Sequence, residues 1–340
     1  MIFLTQAAVK KLTSSTDMNS IYDALQLAIE LEHSTIPLYL YALYSLAPGK
    51  NEEISEIIQS VVVEEMLHMT LASNILNAIG GSPVIDSPGF IPHYPGPLPG
   101  GVESQLRVHL APFSMQQIEA FLTIEEPEHP LSNSKAPPDG VTIGEYYGAI
   151  RTRLKSLPAS QWSADRNQVS GLLGAFVVSD FASASKAIDT IVDQGEGTSN
   201  DPFDGDELAH YYRYMEIKMG HKLIKDLTVD PPYSYKGDPV PYDPTGVYPV
   251  DVDPSTATYV RRYGEHSGPV RQNNTFNYTY TSLLGVLHQV FNGDPTQLSS
   301  AVGMMFSLKG QAKAMMSDLP GAGTNIGPSF EYQPANPPTG

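Results

Sequence analysis

The sequence contains no cysteine and a single tryptophan. Without thiols there are no disulfides, no thiolate metal ligands and no cysteine nucleophile, so any metal held here must sit on nitrogen and oxygen donors. Basic residues are scarce too, 20 Lys and Arg against 37 Asp and Glu, for a formal net charge of −17. Nucleic acid and anionic membranes both require a basic footprint, and no basic cluster is present, so neither is an expected partner. No apolar run reaches the roughly 18 to 20 residues of a membrane span. The lysines of "MIFLTQAAVKKLTSS" follow its apolar patch, the reverse of a secretory signal, which makes a cytoplasmic protein the expectation. Internal repeats are absent, and strand-type alternation nearly so.

What remains is helical periodicity in a chain of 340 residues with 41% hydrophobic content, enough for a sizeable core. "STDMNSIYDALQLAIELEHSTIPLYLYALYSL" opens with capping residues and stops at "APGKN", while "EEISEIIQSVVVEEMLHMTLASNILNAIGG" starts with acids and ends in a Gly pair. The short link predicts an antiparallel pair. Six prolines from Pro83 to Pro99 then forbid regular structure. Shorter helical pieces follow, "SMQQIEAFLTIEE", "TIGEYYGAIRTRLKSL", "FVVSDFASASKAIDTIVDQ" and "DGDELAHYYRYMEIKMGHKLIKDL". A Pro/Tyr-rich stretch separates these from a last helical pair, and the class is all-α with long irregular insertions.

Helical phase, at about 100° per residue, shows which acids face inward. Ile21, Leu25, Ala28, Glu32, Tyr39 and Leu43 form one stripe, with Glu30, Asp23 and Ser34 opposite. On the second helix Ile54, Ile58, Val61, Glu65, His68, Ala72 and Leu76 align, with Glu64 to the side and Asn74 a lesser polar intruder. A buried carboxylate must be neutralised by a proton, a salt bridge or a metal. No Lys or Arg occurs between Lys11 and Lys50, so a bound cation is the economical partner for Glu32.

Glu-x-x-His on a helix places both side chains over one turn, able to converge on one ion. The chain has four such matches. Pro127 breaks Glu126/His129, and Glu30 lies on the polar face beside His33, which leaves Glu65/His68 and Glu207/His210. Two such helices plus a Glu from each of two others is the set with which ferritin-like four-helix bundles hold two iron or manganese ions. Glu32 is the first lone carboxylate. For the second, Glu145 in "TIGEYYGAI" is preferred, although Thr142-x-x-Glu145 also reads as a capping box, and Glu196 in "QGEG" stays open. His33, His221, Tyr39, Tyr146, Tyr211 and Tyr214 read as packing or supporting residues, and Met304, Met305, Met315 and Met316 as gap fillers.

"LAIELEHSTIPLYLYALYSL", "VVVEEMLHMTLASNILNAIGGSP", "TIGEYYGAI", "QGEGT" and "ELAHYYRYMEI" together resemble the ferritin-like family named for iminophenyl-pyruvate dimer synthase, from about Tyr22 to Leu223. Related domains occur in the chromopyrrolate-type enzymes of violacein and rebeccamycin biosynthesis. Those proteins oxidatively couple two imines derived from aromatic amino acids, and they are much longer than this chain, which is expected to be a stand-alone unit. The resemblance implies a non-haem iron oxidoreductase of specialised metabolism. Its partners would be a small, amino-acid-derived substrate and dioxygen or peroxide, and a homo-oligomer is compatible with it. The alternative is an iron-binding or iron-detoxifying protein with the same ligands and no organic substrate. Two regions are expected: a ferritin-like metal-binding bundle with its crossover over residues 1–226, and a Pro/Tyr-rich segment with C-terminal helices packed on it over 227–340.

Overall fold

The computed structural model describes residues 3–101, 106–127, 140–171, 173–195, 202–204, 207–317 and 325–333. Its order is β1 (Phe3–Thr5), α1 (Gln6–Ser14), α2 (Met18–Tyr44), α3 (Glu52–Ala78), α4 (Met115–Ile124), β2 (Gly140–Thr142), α5 (Ile143–Lys155), α6 (Phe181–Gly195), β3 (Phe203–Asp204), β4 (Glu207–Leu208), α7 (His210–Met219), β5 (His221–Lys225), β6 (Tyr233–Pro239), α8 (Thr256–Tyr263), α9 (Gly268–Phe291) and α10 (Leu298–Ser317). Among the described residues the strands form three two-stranded antiparallel ribbons, β1–β2, β3–β4 and β5–β6, so helices carry the architecture. None of the described helices is long and apolar enough to cross a membrane.

Local chemistry sets the helix starts. Asp17 accepts from the Asn19 N–H to cap α2, and Ser114 and Ser255 cap α4 and α8 in the same way. Glu52 and Glu53 complement the positive end of α3. Pro37, inside α2, removes the N–H that would bond the His33 carbonyl, and the Tyr94 hydroxyl of the crossover donates to the neighbouring Ser34 carbonyl at 2.8 Å. That crossover also buries Ser34, placed on the polar face by phase alone.

The antiparallel pair α2–α3 is the spine, and each helix has a partner built in two halves. The Phe113 N–H donates to Ser45 Oγ just past the end of α2, and Phe121 of α4 packs edge-on against Tyr39. Tyr147 of α5 then reaches Glu32, Tyr146 bonds the Ala24 carbonyl and Arg153 the Ser15 carbonyl. Contacts therefore run steadily back along α2 as the chain advances from α4 into α5. α6 and α7 do the same along α3. The loop before α6 is pinned by Asn74, Gln194 of α6 meets His68, and His210 and Arg213 of α7 meet Glu64 and Ser60. The result is a four-helix bundle whose third and fourth helices are each interrupted at the same height.

Asn74 is explained by this packing. Its amide donates to the Val169 and Phe176 carbonyls and accepts from the Val169 N–H, so a buried polar group is fully used to hold the entry to α6. α9 and α10 pack against another face of the spine, and one core cluster extends from Leu4 to Phe330. Met315 and Met316 are fully buried within it. The helix expected over residues 204–227 is shorter than its periodicity suggests. It ends at Met219, where Gly220 turns the chain with φ 74°, and residues 221–225 enter the β5–β6 ribbon.

Candidate metal centre

Each interruption ends a helix at the spine's inward acids. Ile118, Phe121 and Leu122 bury one stripe of α4, and Glu125, the next residue on that stripe, sits at its C-cap with the carboxylate buried. His210 is the first residue of α7 and fully buried, followed on the same face by Tyr214 and Ile217. These two residues close on Glu32, Glu65 and His68, which project from unbroken helices.

Two clusters result, Glu32–Glu65–His68 and Glu65–Glu125–His210, each with ligand atoms within 4.8 Å of one another and Glu65 common to both. His68 Nδ1 lies 3.5 Å from Glu32 and 3.9 Å from Glu65. His210 Nδ1 lies 3.4 Å from both Glu65 and Glu125. The outer nitrogens are held from behind: His68 Nε2 by Gln194 at 3.0 Å and His210 Nε2 by Glu64 at 3.0 Å. Glu64 is itself anchored by Arg213 at 2.8 Å. An imidazole whose Nε2–H faces a carboxylate presents its Nδ1 lone pair inward, the tautomer a metal ligand needs. The Tyr147 hydroxyl donates to Glu32 at 2.5 Å, and that of Tyr39 donates to Glu125.

The electrostatics show what this arrangement lacks. Among the described residues, the ion-pair partners of Glu32, Glu65 and Glu125 are the two imidazoles. Burial, reinforced by repulsion from Glu125, raises the Glu65 carboxyl well above the usual range. Burial would also raise Glu32, but its bond to His68 outweighs this and lowers it. Burial would lower His210, yet the surrounding carboxylates of Glu125, Glu64 and Glu65 favour its charged form and hold it well above its ordinary value. The cluster therefore draws in protons to offset its negative charge. His210 Nδ1, between two carboxylates, still has no hydrogen-bond partner. A buried nitrogen left over among oxygen donors fits a cation, so the residues present suit metal ions on a pure N/O donor set.

Of the residues expected from the sequence, the structure brings together Glu32, Glu65, His68 and His210. Glu145 is not with them. It closes the capping box of α5, accepting from the Thr142 N–H at 3.0 Å while its own N–H donates to Thr142 Oγ1 at 2.9 Å. Glu207 is exposed on β4, because α7 begins only at His210 and the three-residue helical offset between them never forms. Glu196 lies outside the described residues. Glu125 fills the gap, and its signal was present: Ile118, Phe121, Leu122 and Glu125 keep the spacing that picked out Glu32.

The ferritin-like family matches residues 25–219, more than half of the chain, and this protein belongs to that family. In an alignment 309 positions long that covers 80% of this chain, it is 24% identical to dichlorochromopyrrolate synthase from Lentzea aerocolonigenes, and spans 29% of that relative's length. The crystal structure of a ferritin-like protein from Caulobacter vibrioides shares the fold with a TM-score of 0.62 at 23% identity, covering 92% of this chain and 98% of that one.

Proposed function

We propose that this protein is a dinuclear non-haem iron oxidoreductase of specialised metabolism, like iminophenyl-pyruvate dimer synthase, that oxidises or oxidatively couples a small imine derived from an amino acid. The observation that carries this reading is the pair of clusters sharing Glu65, with the unpartnered His210 Nδ1 in the second of them. One ion would be held by Glu32, Glu65 and His68 and the other by Glu65, Glu125 and His210. Bound iron would supply the electron transfer that carboxylates and imidazoles cannot perform, with dioxygen or peroxide as oxidant, and the same donors accept manganese. The similarity to a synthase over most of this chain supports an enzyme acting on an organic substrate.

The chain's own residues prepare the place. Tyr147 and Tyr39 fix the orientation of Glu32 and Glu125, while Gln194 and Glu64 fix the rings of His68 and His210. Beside the carboxylates is a small cavity walled by Leu31, Leu98, Ile124, Ile143, Ile191 and Val192. The hydroxyls of Ser34 and Thr35 in its lining are turned back onto the Leu31 and Glu32 carbonyls, so the wall offered to a ligand is apolar. Such a wall keeps bulk water from the carboxylates, and at about 50 Å³ the cavity has room for a small group beside them, not for a whole aromatic ring.

The test is anaerobic loading with ferrous iron, elemental analysis, then admission of dioxygen with imines generated in place from aromatic amino acids. About two irons per chain and an oxidised or coupled product in the mass spectrum are expected. Iron uptake with no product from any imine would leave the iron-binding alternative, and no iron uptake would overturn both.

A further inference from the structure

A second cavity lies on another face of the spine, where α9 and α10 cover α2 and α3. It has an outer lobe of about 280 Å³ reaching Phe306 and Lys309 at the surface. An inner lobe of about 120 Å³ shares the walls Leu40, Val62, Met66, Met69 and Met305. Apolar space of about 150 Å³ is enough to take up benzene, so the outer lobe alone has room for a larger molecule.

The inner lobe contains one feature that an apolar core does not need. His33 lines it, 3% exposed, its ring 4.4 Å from Phe90 and its Nε2 2.8 Å from the Tyr280 hydroxyl. His33 Nδ1 has no hydrogen-bond partner. Whichever nitrogen carries the proton, one polar atom is left over in a hydrocarbon setting, and buried polar atoms are rarely left so. A hydroxyl can donate or accept, so it satisfies either tautomer. Among the residues lining the inner lobe there is no Lys or Arg, so an ionised head group would be stranded beside His33.

We propose that this cavity binds a neutral, mostly apolar small molecule bearing one hydroxyl group, an alkylphenol in type, with the hydroxyl on His33 Nδ1 and the hydrocarbon towards Met305 and Phe306. The site is separate from the metal centre and does not depend on its chemistry. Nothing in the sequence marks it except His33, whose match to Glu-x-x-His the metal centre leaves unused.

Calorimetric titration of the full-length protein with 4-butylphenol, butylbenzene and decanoate tests it. The phenol should bind about tenfold more tightly than butylbenzene, the worth of one buried hydrogen bond. That preference should disappear in His33→Phe, and Met305→Trp, which fills the join between the lobes, should abolish binding of both. No saturable phenol binding, equal affinity for phenol and butylbenzene, tighter binding of decanoate, or unchanged binding in Met305→Trp would each overturn the proposal. Should His33→Phe not fold, the ¹⁵N resonance of His33 Nδ1 in the wild type gives the answer. It must shift with 4-butylphenol and not with butylbenzene, and an unmoved resonance contradicts the site.

Discussion

The helices that carry Glu32, Glu65 and His68 run unbroken through the centre for 27 residues each, whereas those facing them stop there, α4 after Ile124 and α6 at Gly195. The same centre is thus built in two ways. On α2 and α3 the clustered side chains are written into the periodicity of a long apolar stripe, so each is held by packing above and below. On the broken side Glu125 and His210 occupy helix ends, where caps and loop direction decide which way a side chain points. The continuous side supplies rigidity, and the broken side brings Glu125 and His210 from two short helices to one height, with Tyr147 and Gln194 of the other two holding Glu32 and His68.

Changes at Glu65 should have the largest effect, because it is common to both clusters. Glu65→Ala is expected to lower bound metal from about two ions per chain to almost none, as read by elemental analysis, while circular dichroism remains helical. Next comes the contrast on the broken side. Glu125→Ala should cost about one of the two ions, and Glu207→Ala none, because Glu207 is on the surface. Equal losses from these two variants would erase the distinction between helix-end and surface carboxylates.

Support from behind is worth less than a ligand. Glu64→Ala removes the acceptor behind His210 and should weaken metal binding by about 10- to 100-fold in chelator competition. Protons compete for the same groups. Glu65 and His210 have raised folded-state pKa values, so the stability they give the metal-free fold is complete below their unfolded values of 4.5 and 6.5 and is lost as pH rises through the folded ones. Glu32 is lowered and acts oppositely, its contribution being lost as pH falls through its folded value. Melting curves should therefore show the metal-free protein losing a few degrees as pH rises above about 6.5, and the metal-loaded protein losing none. The smallest effect is expected from Glu145→Ala, which breaks the α5 capping box at about 0.5–2 kcal/mol and leaves metal content unchanged.

These contrasts also explain what was legible in the sequence. The spine and three of the clustered residues, Glu32, Glu65 and His68, follow from phase, since a carboxylate on an apolar stripe is conspicuous in a helix of 27 residues. Glu145 and Glu207 misled because a motif on paper assumes that the helix extends through it. Thr142 diverts the first into a cap, and the second precedes its helix altogether. Glu125 obeyed the phase rule, but α4 offers only about three turns in which to see it. Glu64, Gln194 and Arg213 act across helices, and no spacing along one chain segment announces such partners.

The central claim, two ions joined through Glu65, is tested most directly by an anomalous-difference map at the iron edge from crystals of iron-loaded protein. Two peaks are predicted, one against Glu32, Glu65 and His68 and the other against Glu65, Glu125 and His210. A map with no peak among these residues, or with iron on Glu145 or Glu207, would contradict it.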